Sequence, residues 1–238
     1  MKNINPTIIL VRPQLPENIG MAARVMDNFG LSKLYVVNPR DGWPSKIAEN
    51  SAKHGKNIIK KTKNFTSLNE AVSKFNLVIA TTNRKRFLTK QTFNNFYYLN
   101  KKISNFKNTA ILFGPENSGL SNQDLRLANY IYTIKTASSN KSLNLSHAVS
   151  LISYELFNSN KITNISEDNN EKASKLDLLN FLNSLIYDLD SMNFFKPIEK
   201  KESMIDNIFA IYNKMNLTKK ELRMLWGMHK KLKNQPKM

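Results

Sequence analysis

Short unbroken apolar runs recur through the first two thirds of the chain: Thr7–Val11, Leu34–Val37, Leu77–Ala80, Thr109–Phe113 and Tyr130–Ile134. Each is built from Ile, Val, Leu, Thr or aromatic residues, and none alternates with polar positions. A strand with one wet face alternates, whereas a strand covered on both faces does not. The runs therefore predict a mostly parallel sheet with helices on both sides, an α/β fold. The stretches between them carry helical spacing. Met21, Ala22, Val25, Met26 and Phe29 mark one apolar face, and Leu145 to Phe157 reads as a long buried helix. Ser121-Asn122-Gln123-Asp124 has the form of a capping box, and Thr66 is placed to cap a helix running through Phe75.

The pattern changes near residue 158. Residues 159–174 are polar and aperiodic and read as a linker. Beyond them only helical spacing occurs. Leu178, Leu182, Leu185 and Leu189 mark one helix, and Ile205, Ile208, Phe209 and Tyr212 a second. Thr218-Lys219-Lys220-Glu221 is a capping box ahead of Leu222, Leu225, Trp226 and His229. The expected organisation is an α/β domain over 1–158, the linker, and a small all-helical extension over 175–238 with a frayed tail from Asn234.

Charge sharpens the picture. Among 238 residues, 36 Lys and Arg stand against 18 Asp and Glu, a formal net charge of +18. A surplus of this size favours a polyanionic partner, nucleic acid or an anionic membrane surface, although the Lys-, Asn- and Ile-rich composition itself accounts for part of it. The chain has no cysteine, which excludes disulfides, thiolate metal sites and cysteine nucleophiles. Its histidines, His54, His147 and His229, are scattered, so no metal site is expected. His147 reads as a packed histidine, and Trp43 and Trp226 as packing residues. The apolar run at the N-terminus is far too short for a signal peptide or a membrane span, and the expected location is the cytoplasm.

Seven glycines occur, so each marks a place where the backbone demands one. Gly20 follows the first strand. Gly114 and Gly119 bracket a loop after the fourth. Loops at the carboxyl ends of parallel strands are where open α/β sheets bind ligands. Neither loop is G-x-G-x-x-G or a P-loop, which argues against a dinucleotide oxidoreductase. Taken singly, each glycine loop is equally a tight turn.

Three segments taken together carry more. Asn18-Ile19-Gly20-Met21-Ala22-Ala23-Arg24, Phe113-Gly114-Pro115-Glu116-Asn117-Ser118-Gly119-Leu120 and Ser142-Leu143-Asn144-Leu145-Ser146 resemble, in order and spacing, the three motifs of the SPOUT (TrmH-like) RNA 2′-O-ribose methyltransferases. Leu31–Pro39 is similar to the segment after the first motif. The C-terminal helices, above all Asn216–Leu222, resemble the extension of the TrmJ subfamily of tRNA (cytidine/uridine-2′-O-)-methyltransferases.

The resemblance implies an α/β domain whose C-terminal portion forms a trefoil knot. It implies S-adenosylmethionine bound in the knot loops, a homodimer whose active sites are completed across the interface, and tRNA as substrate, methylated on the ribose at anticodon-loop position 32. It assigns the cofactor to Thr81, Thr82, Asn83, Gly114, Gly119, Ile134, Ser142, Leu143 and Asn144. For Ile134 and Leu143 core packing is the competing reading. It assigns the chemistry to Arg24, with Asn18 and Glu116 beside it. By helical spacing alone Arg24 is a solvated arginine, and Asn18 alone is a helix cap. Glu116 would stabilise the glycine loop or orient Arg24. A guanidinium is always protonated and accepts no hydrogen bond, so electrostatic stabilisation of the developing alkoxide is physically easier for Arg24 than a base role. Pro115 stands where some relatives carry arginine, and Asn117-Ser118 lacks the positive group found in others.

RNA contacts are expected from Arg24 and from Arg84, Lys85, Arg86 and Lys90. Lys53, Lys56, Lys219, Lys220, Arg223, Lys230 and Lys231 read equally as solvated faces. Two other readings stay open: a 2′-O-methyltransferase for rRNA or another tRNA position, and a catalytically silent RNA-binding protein of the same fold.

Overall fold

The computed structural model describes residues 5–84, 90–137, 142–159 and 171–233. Among these described residues, seven parallel strands form one sheet. In chain order the elements are β1 (Thr7–Val11), α1 (Pro16–Asn28), β2 (Leu34–Val37), α2 (Lys46–Ala52), α3 (Lys56–Lys61), β3 (Lys63–Phe65), α4 (Leu68–Val72), β4 (Leu77–Thr81), β5 (Thr92–Phe93), α5 (Phe96–Ile103), β6 (Thr109–Phe113), α6 (Asn122–Arg126), β7 (Tyr130–Tyr132) and α7 (Leu145–Ser159), then α8 (Lys175–Ser191), α9 (Lys201–Met215) and α10 (Lys219–Lys233). The strand order is β3-β2-β1-β6-β4-β7-β5. Among the described residues every strand pairing is parallel.

The pleat sorts the apolar runs onto two cores. Ile8, Leu10, Leu34, Val36, Leu77, Ile79, Ile111 and Phe113 face α1, α2, α3, α5 and α7. Ile9, Val11, Val37, Val78, Ala80, Ala110 and Leu112 face the other way. Both faces are dry, which is why the runs show no alternation.

That second face changes the expected organisation. It is covered by α4 and α6, and also by the C-terminal helices: Leu178, Leu179, Phe181, Leu182, Ile205, Phe209, Leu217 and Leu222 are buried in the same cluster as the strands. The C-terminal segment therefore acts as a layer of the α/β core. Polar groups stitch it on. Lys175 Nζ donates to Asn129 Oδ1 at 2.9 Å and to Asn213 Oδ1 at 2.5 Å, and Asn129 Oδ1 also accepts from Val78 N in β4. Residues 160–170 of the expected linker, and the tail from Asn234, lie outside the described residues.

Several local expectations shift. The N-cap of α4 is Ser67, not Thr66, and the helix ends at Val72. Gly20 lies inside α1 rather than in the loop before it. A Cβ there would sit 2.2 Å from the carbonyl oxygen of Ala48, so glycine lets α1 and α2 touch backbone to backbone. The buried face of α1 is accordingly Ile19, Ala22, Ala23 and Met26, while Met21 is exposed. His147 is exposed on α7 rather than packed. Both capping boxes form, Ser121 with Asp124 and Thr218 with Glu221.

Candidate active site

The carboxyl ends of β4, β6 and β7 meet beside the start of α7, and there they leave a cavity of about 530 Å³. Small-molecule sites run from about 300 to 1,000 Å³. Thr81, Thr82, Asn83, Gly114, Gly119, Ile134, Ser142 and Leu143 all line it, together with Arg84, Phe113, Pro115, Glu116, Leu145 and Ala148. Segments far apart along the chain thus converge on one space.

Many of the polar side chains at this edge hold loops in shape. Thr81 Oγ1 donates to Leu112 O at 2.8 Å, Thr133 Oγ1 to Thr82 O at 2.9 Å, and Asn83 Nδ2 to Thr136 Oγ1 at 3.0 Å. A Cβ on Gly114 would lie 2.3 Å from Leu120 N and 2.5 Å from Gly119 C, so the 114–120 loop closes on itself only because that position is bare. Such a rim suits a ligand recognised by backbone groups and apolar contact at close range.

One chain of hydrogen bonds ties the three motif segments together. Asn144 Nδ2 donates to Asn18 Oδ1 at 3.1 Å. Asn18 Nδ2 donates to Glu116 Oε1 at 2.7 Å, and the backbone N–H of Gln14 donates to Glu116 Oε2 at 2.9 Å. Asn18 is 4% exposed, so its side chain depends on these protein partners and not on water for its hydrogen bonds. Asn144 Oδ1 in turn accepts from Ser146 N at 2.9 Å and Ser146 Oγ at 2.7 Å. Asn144 therefore does not line the cavity; it fixes the first turn of α7, which does. Both oxygens of Glu116 are committed as acceptors, which suits an organiser of the loop.

A model of the SpoU rRNA Methylase family matches residues 5–154. The chain belongs to this family. A Haemophilus influenzae protein called an uncharacterized tRNA/rRNA methyltransferase is 31% identical over 94% of this chain and 92% of its own. The tRNA (cytidine-2′-O-)-methyltransferase TrmJ of Methanocaldococcus jannaschii is 30% identical over 72% of this chain and 75% of its own. The crystal structure of TrmJ from Z. mobilis ZM4 superposes with a TM-score of 0.87 at 35% identity, over 96% of this chain and 99% of that one.

Within this SpoU-family frame the remaining expected residues fall in different places. Arg24 is exposed on α1, outside the cavity. Arg84 lines the cavity, and its Nη2 donates to Asn117 O at 2.8 Å. It thereby brings a cation to the very loop whose own sequence lacks one. Lys85 and Arg86 lie outside the described residues. Lys90 turns inward, against expectation: its Nζ donates to Arg126 O and Ala128 O, and burial pushes its pKa down to about 7. An amine bound to two carbonyls is not available to a phosphate. Among the distal lysines, Lys219 is ion-paired to Glu171 at 2.6 Å.

Sequence reasoning missed the backbone of Gln14 and the pair formed by Arg12 and Asp124, 112 residues apart. Neither has a local signal. No group of side chains suited to a metal occurs among the described residues, and none of the described helices is long and apolar enough to cross a membrane.

Proposed function

We propose that this SpoU-family protein transfers a methyl group from S-adenosylmethionine to the 2′-hydroxyl of a tRNA ribose. The nucleotide implied by the TrmJ resemblance is the pyrimidine at anticodon-loop position 32. The observation that carries this is the Asn144–Asn18–Glu116 chain of hydrogen bonds, which fastens all three motif segments around one cavity.

The residues present suit the cofactor. Thr82, Asn83, Gly114, Gly119, Ile134, Ser142 and Leu143 would hold it through backbone groups and apolar surface. When bound it supplies an electrophilic methyl on a sulfonium, and the protein's task is to place the acceptor oxygen in line and manage its proton. Arg24 offers a fixed positive charge for the developing alkoxide or the neighbouring phosphate. Glu116, with both oxygens occupied, positions Gln14 and Asn18 and is not the base.

Arg24 shares its exposed helix face with Met21, which is 45% exposed, and the neighbouring α7 exposes Leu151 and Tyr154 at 44% and 51%. This apolar surface on α1 and α7 supports a homodimer in which Arg24 completes the site of the partner subunit. A trefoil knot fits the way residues 142–145 and the 114–120 loop share the cavity.

The test is transfer of labelled methyl from S-adenosylmethionine to unmodified tRNA, with the modified nucleotide mapped and Arg24→Ala run in parallel. A 2′-O-methyl group at position 32, lost in the variant, is the expected result. Methylation at another nucleotide overturns the position. No transfer to any RNA, with tRNA still bound, overturns the enzyme reading.

A further inference from the structure

A second concavity, of about 390 Å³, opens on the other face of the sheet at the carboxyl ends of β1 and β2. Its rim carries four carboxamides from four separate elements: Asn38 after β2, Asn69 on α4, Gln123 on α6 and Asn183 on α8. All four side chains are exposed, with their amides open to solvent and to a ligand. The floor is apolar, with Leu127 and Phe209 only 7% and 8% exposed. Apolar floor residues ringed by exposed groups that both donate and accept suit a flat heteroaromatic ring whose edge does the same.

The charges argue for a neutral ligand. Arg12 forks onto Asp124, and Arg126 is held by Asp206 and Glu202. Both guanidiniums lining the cleft are thus already neutralised, so it does not select a phosphate.

Its position links it to the site described above. Arg12 lies at one wall, and two residues later Gln14 N donates to Glu116 in the cofactor cavity. The loop from Arg12 to Leu15 therefore separates the two concavities, both at the carboxyl edge of the sheet. Single-stranded RNA is read through splayed bases bound on their edges.

We propose that this cleft binds an unpaired nucleobase of the substrate RNA, near the nucleotide that is methylated. The proposal rests on the RNA methyltransferase reading. It gives the C-terminal helices a part in substrate choice, because Asn183 and Phe209 belong to α8 and α9.

The first experiment does not depend on turnover. Adenosine, guanosine, cytidine and uridine are titrated separately into the full-length protein saturated with S-adenosylhomocysteine, and the side-chain amide NMR signals of Asn and Gln are followed. At least one nucleoside should shift the Asn69 and Asn183 signals at millimolar concentration, and Asn183→Leu should weaken that binding at least fivefold. No shift at these residues with any nucleoside overturns the assignment.

The second experiment measures tRNA methylation by the Asn69→Leu/Asn183→Leu double variant, whose substituted positions are both exposed. KM for tRNA should rise about tenfold with kcat and cofactor affinity unchanged, and an abasic nucleotide at the position read should add nothing further. Nucleoside binding together with unchanged KM would assign the cleft to a free nucleoside and overturn the RNA link. Absence of methyl transfer by the wild-type protein refutes the function, while the nucleoside titration still decides the cleft.

Discussion

The substitution Glu116→Gln keeps shape and removes one acceptor. Asn18 Nδ2 and Gln14 N both donate to this side chain, at 2.7 and 2.9 Å. A carboxamide has one oxygen, so whichever way it turns, one donor meets an NH₂ group. The loss is one charge-assisted hydrogen bond, about 1.5–3 kcal/mol, with a buried donor left unpaired. The bonds brace Asn18 and Gln14 beside the proposed site, so kcat should fall about 30- to 100-fold, roughly 2–3 kcal/mol, and because Glu116 also lines the cavity, cofactor affinity should weaken as well. Asn18→Asp alone should be at least as harmful, since it presses two carboxylates together. The two changes combined should recover. The carboxamide at position 116 would then donate to the carboxylate at position 18 and accept from Gln14 N, and that carboxylate would keep an oxygen for Asn144. Single-turnover methyl transfer at saturating cofactor and tRNA reads the four corners of this cycle. A coupling of about 2 kcal/mol lies within the range for residues sharing one network. If the double variant loses as much as the two singles combined, the network does not organise the site. If it recovers, a base role for Glu116 is also excluded, because that position then carries no carboxylate.

Gly114→Ala places a methyl group 2.3 Å from Leu120 N, against backbone that cannot turn aside; an overpacking cost of about 1–3 kcal/mol should appear as weaker cofactor binding in calorimetry, and unchanged affinity would refute the tight-loop account. Lys90 has its pKa pushed down to about 7 by burial, so the unfolded chain binds more protons between about pH 7 and the ordinary lysine range, and this residue costs stability at neutral pH that is recovered as pH rises. The melting temperature of Lys90→Met minus that of the wild type should therefore shrink from pH 7 to pH 10, and a constant difference would refute the burial argument. Leu182 is fully buried between α8 and the sheet; Leu182→Ala should cost about 2–5 kcal/mol and lower a single cooperative transition, whereas a separate early melt would show the helices to be an independent unit. Leu151→Asp should turn a dimer into a monomer by light scattering and abolish methyl transfer, and an active monomer would refute the proposed interface.

What the sequence revealed follows from where its signals are local. Strands β1, β2, β4, β6 and β7 were legible because burial on both faces leaves an unbroken apolar run. The edge strands β3 and β5, of three and two residues, carry too little pattern to read, and Lys63 and Asn64 in β3 are exposed. Helices α2, α3 and α5 were equally silent, being short or rich in polar residues. Loop residues lining the cavity were legible through their motif order, since glycine in a glycine-poor chain marks backbone need. Lys90 misled because a lysine beside basic neighbours looks solvated. Only tertiary structure shows that the carbonyls of Arg126 and Ala128, 36 and 38 residues away, take its ammonium.

The C-terminal helices show the same limit at larger scale. Their periodicity announces an apolar face but not its partner, and a polar stretch before them reads as a boundary. The sheet decides the matter. With α1, α2, α3, α5 and α7 on one face, the opposite face carries, among the described residues of the first part of the chain, only the five-residue helices α4 and α6. Those two cannot cover Ile9, Val11, Val37, Val78, Ala80, Ala110 and Leu112, and leaving such a surface wet would cost about 25 cal/mol for each Å² exposed. Sequence alone contains this inference once the strands are taken as buried on both sides: a doubly covered sheet with too few helices for one face must find the rest further along the chain. It also explains why a cleft whose walls mix α4, α6, α8 and α9 lies at the carboxyl edge, next to the cavity. On the proposed reading, the layer that completes the core also supplies part of the cleft that would receive the RNA.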